Sequence, residues 1–149
     1  MQIGQICNPV VVVARKEMSV ADAARLMCEE NVGSLVVVED GVEGRKVTGI
    51  LTDRDIVLSV VARDLDARTV KVGEVMEANP VSVTTTHSVA DALHRMRQHG
   101  VRRIPVLSPN GVLEGIVTVD DVLAIIAEEL NDLVSTINRQ QEREGAARK

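Results

Sequence analysis

The sequence contains no phenylalanine, tyrosine or tryptophan. A core must therefore be assembled from Val, Leu, Ile, Met and Ala. Any pocket for a nucleobase must be walled by aliphatic side chains and backbone, because the aromatic platforms on which single-stranded nucleic acids stack are missing. Cationic excess is missing too: 17 Lys and Arg stand against 22 Asp and Glu, a formal net charge of −5. Holding a phosphate backbone takes a basic surface that releases counterions, so nucleic acid is not an expected partner, whereas a small anion needs only a few local donors. No run of about 18 apolar residues occurs, which excludes a transmembrane helix. Met1 to Val13 lacks a basic segment followed by a signal-type apolar stretch, and the expectation is a cytoplasmic protein with no membrane partner. The two cysteines, Cys7 and Cys28, show no CxxC spacing and no cluster with the histidines, so reduced thiols are expected rather than a disulfide or a metal site.

What is present is repetition. Ser19-Val20-Ala21-Asp22-Ala23 recurs as Ser88-Val89-Ala90-Asp91-Ala92, and at the same spacing Met27 matches Met96 and Val32 matches Val101. Each copy reads as a helix start, with Ser as N-cap and Asp three residues on. The apolar stripes that follow are Val20, Ala23, Ala24 and Met27 in one copy and Val89, Leu93 and Met96 in the other. Asn31 and Gly100 sit at equivalent positions where each helix should stop, and both residue types tolerate the left-handed conformation of a helix end.

After each helix comes a β-rich run, Ser34–Val38 or Arg103–Leu107, then a turn signal, Asp40-Gly41 or Asn110-Gly111, then a second run, so each copy should form a hairpin. The first hairpin is three residues longer, because Gly49 aligns with Gly115 while Ser19 aligns with Ser88. Extended segments, Val10 to Ala14 and Val81 to Thr84, precede the helices, and a second helix follows each hairpin, Asp53 to about Ala62 in one copy and Val119 onward in the other. The predicted fold class is α/β, two β-α-β-β-α units. Their boundaries are placed at 6–63 and 74–131, with a polar linker at 64–73 and a C-terminal extension at 132–149. In the last helix Leu123, Ile126, Leu130, Leu133 and Ile137 alternate by three and four, a stripe of about two heptads that should bury against its own domain or a partner subunit. Arg139 to Lys149 is polar and is expected to fray.

The informative elements are Gly49-Ile50-Leu51-Thr52-Asp53-Arg54-Asp55 and Gly115-Ile116-Val117-Thr118-Val119-Asp120-Asp121, each at a strand-to-helix junction. Glycine admits another chain or a ligand close to the strand. A Thr hydroxyl at a helix N-terminus is well placed for phosphate, and a carboxylate can grip a ribose diol. The same Thr-x-x-Asp spacing also makes a capping pair, as at Ser19/Asp22 and Ser88/Asp91, and spacing alone leaves both readings open.

These units, with Val-Gly-Ser-Leu-Val-Val-Val then Gly-Ile-Leu-Thr-Asp-Arg-Asp in one copy and Val-Arg-Arg-Ile-Pro-Val-Leu then Gly-Ile-Val-Thr-Val-Asp-Asp in the other, resemble the tandem CBS (cystathionine β-synthase) domain over roughly residues 6 to 131. The resemblance implies a pseudo-twofold CBS pair (Bateman module), here with an extended C-terminal helix, whose two clefts take AMP, ADP, ATP, S-adenosylmethionine or a related ligand. It assigns Thr52 and Thr118 to phosphate and Asp55 and Asp121 to ribose. Residues around Val12 and Val83 and the hairpin strands, Val32 to Val36 and Val101 to Pro105 (Val36, Arg103, Ile104 and Pro105 among them), would enclose the base. It further implies a homodimer of modules and a regulated protein partner of unknown identity.

Arg54, Arg102 and Arg103 are candidates to neutralise phosphate, while Asp120-Asp121 adds negative charge near the second ribose position, so the clefts are expected to differ in affinity. No nucleophile with its base, metal cluster, phosphate loop or GxGxxG is assembled. His87, His94 and His99 are expected at the surface or near a cap, with His87 the best placed to rim a site. The chain therefore reads as a non-enzyme that requires no cofactor and binds an adenosine nucleotide as ligand. The alternative is a structural dimerisation unit whose Thr-x-x-Asp pairs only cap helices.

Overall fold

Each SVADA segment starts a helix in the computed structural model, which describes residues 1–147. Helix α1 runs Val20–Glu30 and its counterpart α4 runs Val89–His99. Ser19 Oγ accepts from the Asp22 amide and Ser88 Oγ from the Asp91 amide, both at 3.1 Å. Both helices end on a left-handed residue, Asn31 at φ 53° and Gly100 at φ 63°. Ala24, expected on the buried stripe, is exposed, and Leu26 packs on the core instead.

Only the second copy closes its capping box. The Ser88 amide donates to Asp91 Oδ2 at 3.0 Å, whereas Asp22 turns to pair with Arg25. The Ser88 backbone and side-chain hydrogen bonds hold the Asp91 carboxyl below the ordinary aspartate value of 3.8. A lowered folded-state pKa contributes stability that is present above the unfolded value and is lost as pH falls through the folded one. Asp91→Asn, which keeps an acceptor but does not titrate, should flatten the acid limb of a plot of urea midpoint against pH, with the divergence from wild type below about pH 4. An unchanged acid limb would contradict this.

Strands β2 (Ser34–Asp40) and β3 (Arg45–Thr52) form the first hairpin, flanked by β1 (Val13–Ala14) parallel to β2 and β4 (Glu77–Ala78) antiparallel to β3. The second sheet is β5 (Val83–Thr84), β6 (Arg103–Leu107) and β7 (Leu113–Thr118). The leading strands are shorter than predicted. Val12 still offers its carbonyl to the Val36 amide at 3.2 Å, but the residues before it, and Pro80-Val81 before β5, leave the sheet and line cavities.

Gly49 pairs with Val37 and Gly115 with Val106, each beside a register shift in the hairpin. Both glycines face a crossing chain rather than open space. A Cβ on Gly49 would overlap Met76 Sδ and lie 2.9 Å from the Glu77 carbonyl, and one on Gly115 would lie 2.7 Å from the Asn8 carbonyl.

Those crossing chains exchange between the repeats. Helix α3 (Val72–Val75) and β4 lie where the expected linker passes into the second repeat, yet Val72 is buried with Ala23, Leu35 and Leu51 of the first. The 3-10 turn Ile3–Gln5 precedes the first repeat, yet Ile3 is buried with Val83, Ile104 and Val117 of the second. The segment expected as a linker is strapped to the first repeat as well: Val70 packs on Val20 and Val60, and its carbonyl accepts from the Val20 amide at 2.9 Å. Between the sheets, Val36 and Val38 meet Leu113, so the repeats share an aliphatic core without aromatic residues.

Helix α2 (Asp53–Ile56) widens into a π turn, Val57–Val61, that carries the chain through the expected helix. Helix α5 spans Val119–Ala147, 29 residues, roughly 43 Å at 1.5 Å per residue. Arg139 to Ala147, expected to fray, continues this helix. Its Gln, Glu, Arg and Ala are strong helix formers, which offsets the absence of an apolar face there. Residues 148 and 149 of the same expected tail lie outside the described residues.

Candidate functional site

Both strand-to-helix junctions are closed capping boxes. The Thr52 amide donates to Asp55 Oδ2 at 2.9 Å and the Asp55 amide donates to Thr52 Oγ1 at 3.1 Å. Thr118 and Asp121 repeat the arrangement at 3.1 Å in both directions. Each junction is also tied to the approach of its own hairpin, the Asp53 amide to the Gly33 carbonyl at 3.0 Å and the Val119 amide to the Arg102 carbonyl at 2.8 Å. Capping does not exhaust these side chains. A Thr hydroxyl that accepts one bond keeps its O–H to donate, and a carboxylate with Oδ2 engaged keeps Oδ1 to accept. Each box therefore presents one fixed donor and one fixed anionic acceptor.

The donors open onto two cavities between the repeats. The first, about 480 Å³, sets Ile50, Thr52 and Arg54 of the first repeat against Pro80, Val81 and the His99–Arg103 stretch of the second. The second, about 280 Å³, sets Ile116 and Thr118 of the second repeat against Val10–Val12, Val32–Ser34 and Val36 of the first, with Arg103 at the edge. Each Thr thus faces aliphatic walls supplied by the other repeat. That cross-pairing follows from how the repeats dock and has no signature in either copy alone.

The structure gathers Thr52, Arg54, Arg102 and Arg103 at the first cavity and Thr118, Val12, Val36 and Arg103 at the second. Asp55 and Asp121 stand behind their threonines as caps and are not among the lining residues of either cavity. Three expected base contacts fall elsewhere. Val83 and Ile104 are buried in the second repeat's core, and Pro105 is buried opposite Ile116. Strand alternation explains Ile104, since outward Arg103 sends its neighbour inward. The counterpart of Val12 is Val81, which lines the first cavity, while Val83 corresponds to Ala14, and both of these are core residues.

His99 is exposed at the end of α4 beside the Gly100 cap, as expected, and also lines the first cavity together with the three arginines, Asp53 and Glu77. The readable signal was its place directly before Gly100-Val101-Arg102, which follow the helix end. Arg102 pairs with Asp120 at 3.4 Å with both side chains largely exposed, an ion pair of little net worth that leaves the guanidinium free to turn. Among the described residues Arg103 is the one charged side chain of the second cavity, whose lining includes neither Asp120 nor Asp121. The first cavity gathers more charges of both signs, three arginines with Asp53 and Glu77, and the expected contribution of Asp120 and Asp121 to the second cavity is not among its lining residues.

Cys7 packs beside Gly115, and burial pushes its thiol up from the ordinary value, while Cys28 is exposed. Among the described residues no group of three or more His, Cys, Asp or Glu side chains is placed to hold a metal ion.

Comparison with known proteins agrees with this architecture. A family model described as CBS domain matches residues 3–62 and 72–128. Hypoxic response protein 1 of Mycobacterium tuberculosis is 33% identical over 123 residues, 83% of this chain and 83% of that protein. Its crystal structure, which holds two coordinated zinc ions, superposes with a TM-score of 0.72 over 83% of this chain and 98% of that one. A hexameric CBS-CP12 protein from cyanobacteria is 35% identical, with a TM-score of 0.71 over 83% of this chain and 69% of that one. A CBS domain pair solved with 5'-methylthioadenosine and S-adenosyl-L-methionine shares the fold, with a TM-score of 0.74 at 22% identity over 87% of this chain and 98% of that one. With one match on each of two exchanged, mutually completed repeats, the chain belongs to the CBS domain family and carries the domain twice.

Proposed function

We propose that this CBS pair is a sensor that binds adenosine-type nucleotides, AMP, ADP, ATP or S-adenosylmethionine, in its two inter-repeat cavities and reports them to a protein partner without catalysing a reaction. A CBS pair is a ligand-binding regulatory module. The observation that carries the finer reading is the pairing, in each cavity, of a fixed Thr hydroxyl with an aliphatic wall from the opposite repeat. Apolar walls with a few convergent polar groups are the usual make-up of a small-ligand site. Thr52 and Thr118 donate to phosphate, while Asp55 and Asp121, which line neither cavity, hold those threonines in place through the capping boxes. Val81 and Val101 in one cavity, and Val12, Val32 and Val36 in the other, sandwich the base.

A thermal-shift panel tests this directly. A ligand that binds only the folded state at a hundredfold excess over its Kd adds about 2.7 kcal/mol of stability. A rise in Tm with at least one of the four ligands supports the sensor. No rise with any of them, at millimolar concentration, refutes it.

A second reading, self-association, has its own observation. Leu123, Ile126, Leu130, Leu133 and Ile137 of α5 remain 37–61% exposed. An a/d stripe of this kind is normally buried against another helix. The first repeat exposes Val57, Leu58 and Val61 at the equivalent helix, and the cyanobacterial relative is hexameric. The proposed assembly is a homodimer that buries both surfaces, formed in the cytoplasm; among the described residues no helix is long and apolar enough to cross a membrane. Leu130→Asp with Leu133→Asp should reduce the mass measured by light scattering to that of a single chain, with the fold retained by circular dichroism. An unchanged mass would contradict a role for α5.

A further inference from the structure

Arg103 lines both cavities, and among the described residues it is the only one that does. Its pseudo-twofold counterpart is Ser34, which lines the second cavity alone and is too short to reach the first. The Arg103 guanidinium lies beside Gly33: Nη1 is 3.8 Å from the position a Cβ on Gly33 would take, and Asp53 Oδ2 is 3.2 Å from that same position. Gly33 belongs to the second cavity and Asp53 to the first, so the charge sits on the boundary between them. Among the described residues it makes no ion pair, so no carboxylate holds it to one side.

We propose that Arg103 is a single cation shared by the two cavities, so that phosphorylated nucleotides bind the module with negative cooperativity while uncharged adenosyl ligands do not. This rests on the nucleotide reading above. The first cavity has Arg54 and Arg102 in addition, set among Asp53 and Glu77, and takes a phosphorylated ligand. Arg103 turns toward that phosphate and is neutralised by it. Among the described residues the second cavity then has no other cation in its lining, and its phosphate faces a like charge across the boundary at Arg103. An adenosine nucleoside carries no phosphate, draws on no guanidinium and is indifferent to its neighbour.

Methyl NMR on valine-labelled protein resolves the two cavities, with Val81 and Val101 reporting the first and Val12 and Val32 the second. A permanent anion at the first site is introduced by Thr52→Asp, which keeps an N-cap acceptor. In this variant the AMP midpoint at the second cavity should weaken by about fivefold or more, the lower range of measured coupling between sites. The adenosine midpoint at the second cavity should stay unchanged. Arg103→Ser, which installs the side chain found at the counterpart position, should abolish the effect of Thr52→Asp on the second cavity. An equal effect of Thr52→Asp with and without Arg103→Ser overturns the sharing while leaving nucleotide binding intact. Absence of any methyl shift with AMP or adenosine in the wild type overturns the nucleotide reading, and the sharing with it.

Discussion

Gly115→Ala should cost about 2–3 kcal/mol of folding stability, at the upper end for overpacking by a single methyl group. The added Cβ would sit 2.7 Å from the Asn8 carbonyl and 2.9 Å from Cys7 Sγ. The backbone carbonyl cannot swing aside, because Asn8 and Ile116 exchange hydrogen bonds of 2.9 and 3.0 Å. Relief requires the N-terminal segment to lift off β7, which exposes Ile3, now fully buried. Urea unfolding gives the energy. Cys7 alkylation gives the location, since its thiol is pushed up by burial and should react faster once undocked. Gly49→Ala should be milder, because the flexible Met76 side chain can move, although the Glu77 carbonyl at 2.9 Å remains. A loss below about 0.5 kcal/mol at Gly115, within the range of an inert surface change, would show that the glycine is not there for the crossing chain.

Thr118→Val should weaken AMP binding at the second cavity by roughly 10- to 100-fold, since a hydrogen bond to a charged group is worth about 1.5–3 kcal/mol. The same substitution removes an N-cap and costs about 1 kcal/mol of stability on its own. Adenosine separates the two consequences. Loss of the cap lowers stability whatever the ligand, whereas loss of a phosphate donor weakens AMP and spares adenosine. Thr52→Val should have the smaller effect, because three guanidinium donors, Arg54, Arg102 and Arg103, line its cavity beside Asp53 and Glu77, while among the described residues Arg103 is the one such donor lining the cavity of Thr118. Equal losses for AMP and adenosine in calorimetric titrations would assign both threonines to capping only.

The repeat was legible because the devices that start and stop its helices are local. Ser19 and Ser88 cap, Asn31 and Gly100 terminate, and each does so through its own side chain or backbone freedom. The paired Thr-x-x-Asp elements were legible as far as local geometry goes, and capping and ligand presentation turn out to be compatible, because the box leaves one donor and one acceptor unused. The exchange of leading segments was not legible. Val72 and Ile3 read as ordinary apolar residues, and nothing within reach of either in sequence specifies that each completes the other repeat's core. The identity of the crossing chains was foreshadowed only by Gly49 and Gly115, which signalled a close approach without saying to what.

The cavity walls were half legible for a related reason. Arg103 lines both cavities, but which residue of the segment before α4 faces a cavity depends on where β5 begins, and the paired strand is two residues long. Helix α5 was underestimated because its last turns carry no apolar stripe. Propensity alone extends it through Ala147.

Native mass spectrometry of the purified chain titrated with AMP bears on nucleotide binding most directly. The spectra should show one bound AMP per chain at low concentration and a second as the concentration rises. Spectra without a bound AMP, and equally without bound ADP, ATP or S-adenosylmethionine at millimolar concentration, would contradict a nucleotide-sensing role for the two cavities.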